Sequence, residues 1–472
     1  MSDITDAATL PRGLSADPAD RLDEDDRFPL AFVRDVEDAA EAGDDALVRA
    51  LTEPLHPADL ADLIELVPEN ERLAVAAALG DRLTADVLVE MNDYVREALL
   101  SELPADQVAT FAADMDTDDA VAVIEDLDAA DQRAVLDAMP EAERAAVESA
   151  LLYPEETAGR LMQRDVVAVR DGMTVGDVID WCRSGATTGD FWEIFVVDPA
   201  HRPVGTCPLS WILTAPRATP VRDLMKREQT LIPATMDQEE VALRFQRYHL
   251  ISAAVVDGGG RLIGQITVDD IVHVIQEEAG EDALLLSGAG EGDINEPIRD
   301  SYVARVRWLI ANMGTALVGS TIIWLFGAAI EQMVALAVLM PIVASIGGNA
   351  GTQTMAVAVR AISLNQLTQS NTARIIGREL RVAVLNGLTV AGLIGLAAWA
   401  FFSSPLLGGV IALAMVLNII VAGLAGVVVP VVLDRLDQDP AVASSIFVTM
   451  ITDSVGFLAF LGLAVTSGLV GG

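Results

Sequence analysis

Lysine is almost missing from this chain: of 30 basic residues only Lys226 is one, and the other 29 are arginine. Two cysteines, Cys182 and Cys207, give neither a disulfide framework nor a metal-ligand spacing. No basic face is present to grip phosphates, which excludes nucleic acid as a partner. The first 30 residues are polar and acidic and contain no apolar core of a cleavable export signal. Neither a GxxxxGK[ST] loop nor a nucleophile–base set occurs, so an ATP-driven pump and an enzyme are both disfavoured. Scarce lysine beside abundant acid fits a salt-rich cytoplasm or a GC-rich genome. At molar salt the Debye length is about 3 Å, so only direct coordination of a cation would count.

What is present is contradictory at first sight. The 472 residues include 70 Asp and Glu, for a net charge of −40, yet 52% of the chain is apolar and mean hydropathy is +0.41. That is too apolar for an acidic soluble protein and too charged for a bare membrane bundle. The two properties separate at residue 300. Residues 301–472 hold six acids and seven arginines, leaving 64 acids and 23 basic residues in the first 300.

Residues 1–28 are Asp-, Ala- and Pro-rich without apolar periodicity and read as a disordered leader. Over 29–153, short apolar-periodic runs are punctuated by Pro68, Pro104 and Pro140, spaced 36 residues apart. This period belongs to stacked helical pairs, with proline at a helix start. From 154 to 285 the text turns β-rich, with strand candidates at 166–169, 193–198, 252–257 and 261–268 and turn signals at Asp198-Pro199 and Asp257-Gly-Gly-Gly260. A strand, helix, strand-turn-strand, helix pattern occurs twice there, and it resembles a tandem cystathionine-β-synthase (CBS) domain pair. Residues 286–304 connect this region to the membrane domain of 305–472, and the family resemblance drawn below implies a connecting, plug-like helix there.

That last region holds five apolar stretches, Trp308 to Ile330, Val334 to Val359, Val382 to Phe402, Leu406 to Leu433 and Ala441 to Val470. Each is long enough to cross a hydrocarbon core of about 30 Å. Arg299, Arg305 and Arg307 precede the first, Arg360, Arg374, Arg378 and Arg381 lie between the second and third, and Arg435 between the fourth and fifth. The other ends carry none, so the acidic half is placed in the cytoplasm and the C-terminus outside a plasma membrane. The fold class is therefore multidomain: an all-α solenoid, an α/β pair and a polytopic α-helical membrane domain of five helices.

Asp453 is the only acid well inside an apolar stretch. Carboxylates at that depth cost a few kcal/mol and usually face a water-filled path or a partner. The structural alternative is a hydrogen bond to a neighbouring helix. Thr449 and Thr452 lie within about one turn of it. In the second stretch, Pro341 to Gln353 reads PIVASIGGNAGTQ. Its glycines either pack helices closely or open carbonyls and Asn349 onto a cavity.

The run PxxxSxGGNxGxQ at 341–353, with Asp439-Pro440-Ala441 and the TxxTD of Thr449 to Asp453, resembles the membrane domain of the MgtE magnesium channel family. So does the order of parts over nearly the whole chain after residue 30. The resemblance implies a homodimer with one pore on the twofold axis, Asp453 as the pore's ion ligand, Asn349 lining it and Asp439 at its cytoplasmic mouth. Mg2+ holds its waters tightly and is commonly bound through one or two carboxylates plus solvent, which suits a pair of Asp453 side chains. The resemblance also implies a gate of Mg2+-binding acids at Asp237, Glu239, Asp270, Glu278, Glu281 and Asp282, closing when cytosolic Mg2+ is high. Two departures stand out: His249 and His273 replace acids common in the family, and Ser445-Ile446 replaces a small-residue-then-proline pair. Histidine favours transition metals over Mg2+.

Gly264, Thr267 and Asp270 fit the GxxTxxD pattern with which CBS domains hold a nucleotide ribose, pointing to ATP. The matching stretch in the first half, Gly205 to Trp211, lacks the acid. The sequence thus predicts an inward Mg2+ channel in a lipid membrane, gated by Mg2+. The alternatives are a channel for Co2+, Mn2+ or divalent ions broadly, and a non-conducting membrane-anchored nucleotide or ion sensor.

Overall fold

The computed structural model describes residues 28–184, 191–288, 292–368, 370–436 and 438–470. The leader expected over 1–28 lies outside the described residues except for Phe28. The chain divides into two compact units, Met1–Val274 and Ile275–Gly472.

Ten α-helices, α1 to α10, occupy residues 30–150 of the first unit. Pro68, Pro104 and Pro140 each stand at the N-cap, of α4 (Glu69–Leu79), α7 (Ala105–Asp114) and α10 (Glu141–Ala150). Proline's fixed φ and missing N–H cost nothing at a helix start, so the 36-residue period is a period of helix starts. Stacked helices share a core in which Val48, Leu51, Ile64, Leu79, Leu88 and Ile124 are fully buried. Asp128 caps α9 (Ala129–Ala138) by accepting from the Ala130 and Asp131 amides.

The β-rich region forms two like sheets. Strand β1 (Ala168–Arg170) pairs in parallel with β2 (Glu193–Val197), which pairs antiparallel with β3 (Pro203–Pro208). Strands β4 (Leu231–Pro233), β5 (Ser252–Val256) and β6 (Leu262–Thr267) repeat that order. Between them lie α11 (Val175–Arg183), α12 (Leu209–Thr214), α13 (Val221–Leu224) and α14 (Gln238–Tyr248). β3 and β4 are the strands the sequence marks least, because one is bounded by prolines and the other has only three residues; their pairing partners hold them extended.

Helix α15 (Val268–Ser287) leaves β6 directly and runs unbroken for 20 residues. The single connecting helix expected over 286–304 is thereby corrected. Gly288 turns with φ 73°, and the next helix, α16 (Ile298–Leu325), starts after Pro297. A short α17 (Gly327–Gln332) follows, then α18 (Val334–Ser363), α19 (Thr372–Phe402), α20 (Pro405–Asp434) and α21 (Pro440–Thr466). Among the described residues five helices, α16, α18, α19, α20 and α21, are long and apolar enough to cross a membrane. α20 is the central one, packed against α18, α19 and α21, while α16 lies on α21. α21 is continuous through Ser445-Ile446, so the helix needs no proline there.

Candidate ion pathway and regulatory acids

Asp453 sits at the midpoint of α21, half-buried within the single chain. It makes no hydrogen bond or ion pair among the described residues, so within the single chain no neighbouring helix holds the carboxylate. α16 passes it at Gly319, where an added Cβ would lie 3.9 Å from the Asp453 Cβ. Thr449 is exposed one turn before it, whereas Thr452 is fully buried and turned toward Gly351 of α18. Thr449 and Asp453 thus share an outward face, four residues apart.

The open question about the glycine run in α18 is resolved position by position. A Cβ at Gly347 would overlap the Asn418 amide of α20, and one at Gly351 would lie 2.6 Å from Val448 Cγ1 of α21. These two glycines pack helices. Gly348 faces open space, and Asn349 and Gln353 are exposed. The segment thus packs helices through Gly347 and Gly351 and leaves Asn349 and Gln353 exposed on another face of α18.

Asn418 is a polar residue the sequence reading passed over. It is fully buried in the most apolar helix, donates Nδ2–H to the Val343 carbonyl at 3.0 Å, and sits where a Cβ on Gly456 of α21 would fall 2.7 Å from Nδ2. Its Oδ1 has no partner among the described residues. A lone Asn in an otherwise apolar run was the available signal.

At the arginine-bearing end, Asp439 is exposed and caps α21, accepting from the Ala441 amide at 2.7 Å. Asp282 of α15 accepts from Ser363 Oγ at 3.1 Å, at the last residue of α18. Burial pushes the Asp282 carboxyl above its ordinary value, and the charge of Asp439 adds to that despite the hydrogen bond from Ser363. Leu285 and Leu286 of α15 pack on Met355, Val359, Ala441 and Val448. Two acids that sequence reading assigned to different roles, Asp282 and Asp439, thus repel each other at one end of the bundle.

The other regulatory candidates are dispersed. Asp237 is exposed and caps α14 through the Glu239 amide at 2.9 Å. Glu278 and Glu281 are half-buried on α15. Asp270 lies near the start of α15, in the first unit, and Asp282 belongs to the second. Among the described residues, no three His, Cys, Asp or Glu side chains are grouped so as to hold a metal ion. His249 closes α14 at φ 52°, a left-handed cap that His tolerates better than most side chains. His273 is exposed on α15.

Asp270 accepts from Thr267 Oγ at 2.6 Å, and from the Thr267 amide and Gln163 Nε2 at 3.3 Å each. Burial nevertheless raises its carboxyl to about 6. Its neighbours were not singled out from the sequence: Asp118 and Asp119 of α8 (Thr117–Glu125), and Asp116 at that helix's N-cap. Burial, reinforced by the charge of Asp270, raises Asp119 to about 7 and Asp118 well above the ordinary range. Asp118 Oδ1 is buried without a hydrogen-bond partner among the described residues. Folded-state values above the unfolded ones mean that the folded chain holds protons the unfolded chain has released. The associated stability is present below about pH 4 and is lost as pH rises through about 7. Without divalent ions, the first unit should melt at a higher temperature near pH 5 than near pH 8. Asp119→Asn should flatten that difference, as read by thermal denaturation of the full chain.

Three family profiles match the chain: one described as a divalent cation transporter over residues 340–463, one as the MgtE intracellular N domain over 55–156, and one as a CBS domain over 221–277. The protein named magnesium transporter MgtE from Thermus thermophilus is 32% identical over 91% of this chain and 97% of its own length. Its namesake from Bacillus subtilis is 30% identical over 88% of this chain and 93% of its own. A solved structure described as the cytosolic domain of the Mg2+ channel MgtE in complex with ATP covers 51% of this chain and 99% of its own, at 30% identity and a TM-score of 0.48.

Proposed function

The chain belongs to the MgtE family of divalent cation transporters, and on that footing we propose that it is a homodimeric channel that admits Mg2+ to the cytoplasm and closes when cytosolic Mg2+ is high. The observation that carries the proposal is Asp453, a carboxylate inside a membrane-crossing helix with no partner among the described residues. A charge in that position needs water or a cation. A divalent ion entering an inside-negative cell gains about 4.6 kcal/mol per 100 mV, twice the single-charge value, so no other energy source is required.

Dimerisation is supported by where polar groups fall. In the single chain, α18 exposes Ser345, Asn349 and Gln353, and α21 exposes Thr449 beside Asp453. Hydrocarbon leaves such side chains unsatisfied, so they need a second protein surface or water. A second copy, placing two Asp453 carboxylates around a hydrated cation, supplies both. The arginines at the ends of the helices favour an orientation with the acidic half and the N-terminus in the cytoplasm.

Gating is proposed to act at two loci. At the bundle end, Mg2+ bound by Glu278, Glu281 and Asp282 cancels the repulsion between Asp282 and Asp439 and holds α15 against α18 and α21. In the first unit, the second locus is the mutual repulsion of the buried acids Asp118, Asp119 and Asp270, which Mg2+ accumulating around the acidic unit screens without a three-carboxylate site among the described residues to hold it. Asp237 and Glu239 contribute surface charge to the same response. Gly264, Thr267 and Asp270 supply the ribose contacts of a bound nucleotide such as ATP. Millimolar Mg2+ is expected to protect α15 in the full chain from proteolysis. The Glu278→Ala, Glu281→Ala, Asp282→Ala triple variant should lose that protection and conduct at high Mg2+; protection unchanged in the triple variant removes these residues from the gate.

A further inference from the structure

Helix α19 has an outward stripe unlike those of α18 and α21. Residues 385, 388, 396 and 399 recur at helical spacing on one face, and Leu385, Leu388, Leu396 and Trp399 are all more than half exposed. The same face continues toward the helix start through Arg381, Arg378 and Arg374, all exposed. From Arg381 to Trp399 is about 27 Å at 1.5 Å per residue, close to the hydrocarbon thickness of a bilayer. A tryptophan at one limit and an arginine at the other mark the two interfaces. Arg378 and Arg374 then stand about 4 Å and 10 Å further out, at the depth of phospholipid headgroups.

From this we propose that Arg374, Arg378 and Arg381 form a ladder that binds the phosphodiester headgroup of an anionic phospholipid, whose acyl chains lie along Leu385 and Leu388. The chemistry selects the ligand. Guanidinium groups pair with phosphate oxygens in a bidentate way that a zwitterionic lipid, with its own cation beside the phosphate, satisfies less well. Free phosphate lacks the acyl chains that the leucines accommodate. Direct contact also survives salt that screens charges at a distance.

Two features of the chain sharpen the assignment. With 64 acids against 23 basic residues in its first 300 residues, the chain concentrates its unpaired positive charge in few places, and this ladder is one of them. Arg381 donates Nε–H to the Gly377 carbonyl at 2.9 Å, which steers its guanidinium toward the helix start. Arg378 is partly neutralised by its 2.5 Å ion pair with buried Glu379, leaving about two effective charges in the ladder. Arg305 and Arg307 of α16 do not qualify in the same way, since that helix exposes nearly all of its surface in the single chain and defines no one lipid face.

The test is native mass spectrometry of the full chain released from micelles containing equal amounts of phosphatidylglycerol and phosphatidylcholine. Retained phosphatidylglycerol should dominate in the parent protein. The R374Q/R378Q/R381Q variant should lose that preference by a factor on the order of 30, from about two effective charges near the surface. Glu379→Gln, which frees Arg378, should raise the preference. Preference unchanged in the triple variant overturns the proposal. Should that variant not fold, an unchanged preference in Glu379→Gln overturns it instead, and so does displacement of the bound lipid by inorganic phosphate alone.

Discussion

Replacing Asp453 by Asn is expected to abolish Mg2+ uptake into proteoliposomes while leaving the melting temperature of the protein nearly unchanged. Both halves of that expectation come from the same observation. The carboxylate has no partner among the described residues, so neutralising it orphans nothing and costs little stability. For the ion, the charge is decisive. Across one hydration layer, about 5 Å, and at an effective dielectric constant of about 20, a divalent cation gains roughly 6 kcal/mol from a single carboxylate. A third of that, lost from one copy, already lowers occupancy about 30-fold, and a symmetric pair loses it twice. Asp453→Glu keeps the charge with a longer stem and should retain measurable flux. Uptake undiminished in Asp453→Asn would remove the residue from the path.

Gly426→Ala is expected to be one of the most damaging small substitutions in the membrane unit. An added Cβ would lie 2.7 Å from the Gly351 carbonyl oxygen, 2.8 Å from Thr354 Cβ and 3.0 Å from the Met355 amide nitrogen. Two of those three atoms are backbone, which cannot rotate away, so α20 and α18 must separate. Overpacking of this kind costs typically about 1–3 kcal/mol, and the rigid obstacle places Gly426→Ala at the upper end. By the scaling for domains of this size, the melting temperature should fall by roughly 6–12 °C. Gly348→Ala is the control: nothing lies within 4 Å of its Cβ position, so stability should hold although Asn349 is the next residue. A melting temperature unchanged in Gly426→Ala would mean that α18 and α20 do not approach as closely as described.

The architecture was legible because it rests on periodic signals. Pro68, Pro104 and Pro140 mark helix starts through a local property of proline, and the five spans follow from length and apolarity alone. The extent of the connecting helix was misread because its acidic residues continue into a glycine-containing segment, and only the turn at Gly288 decides where α15 stops. Asp453 stood out as a lone acid in an apolar run. Asp116, Asp118 and Asp119 did not, since they are three among 70 acids and only their burial near Asp270 sets them apart. Burial of that kind is produced by packing distant segments together, and no spacing within residues 116–119 encodes it. Asn418 lies between these cases, visible as an Asn in the apolar stretch but meaningful only once Gly347 and Gly456 are seen to make room for it.

The central claim is conduction of Mg2+ by the intact chain. It is tested most directly by loading proteoliposomes with a Mg2+-sensitive dye, imposing an inside-negative potential and measuring entry across a panel of divalent cations. The account predicts Mg2+ entry that grows with the potential and falls as Mg2+ accumulates inside. Vesicles that hold folded protein yet admit no divalent ion at any potential, with internal Mg2+ kept low, would contradict it.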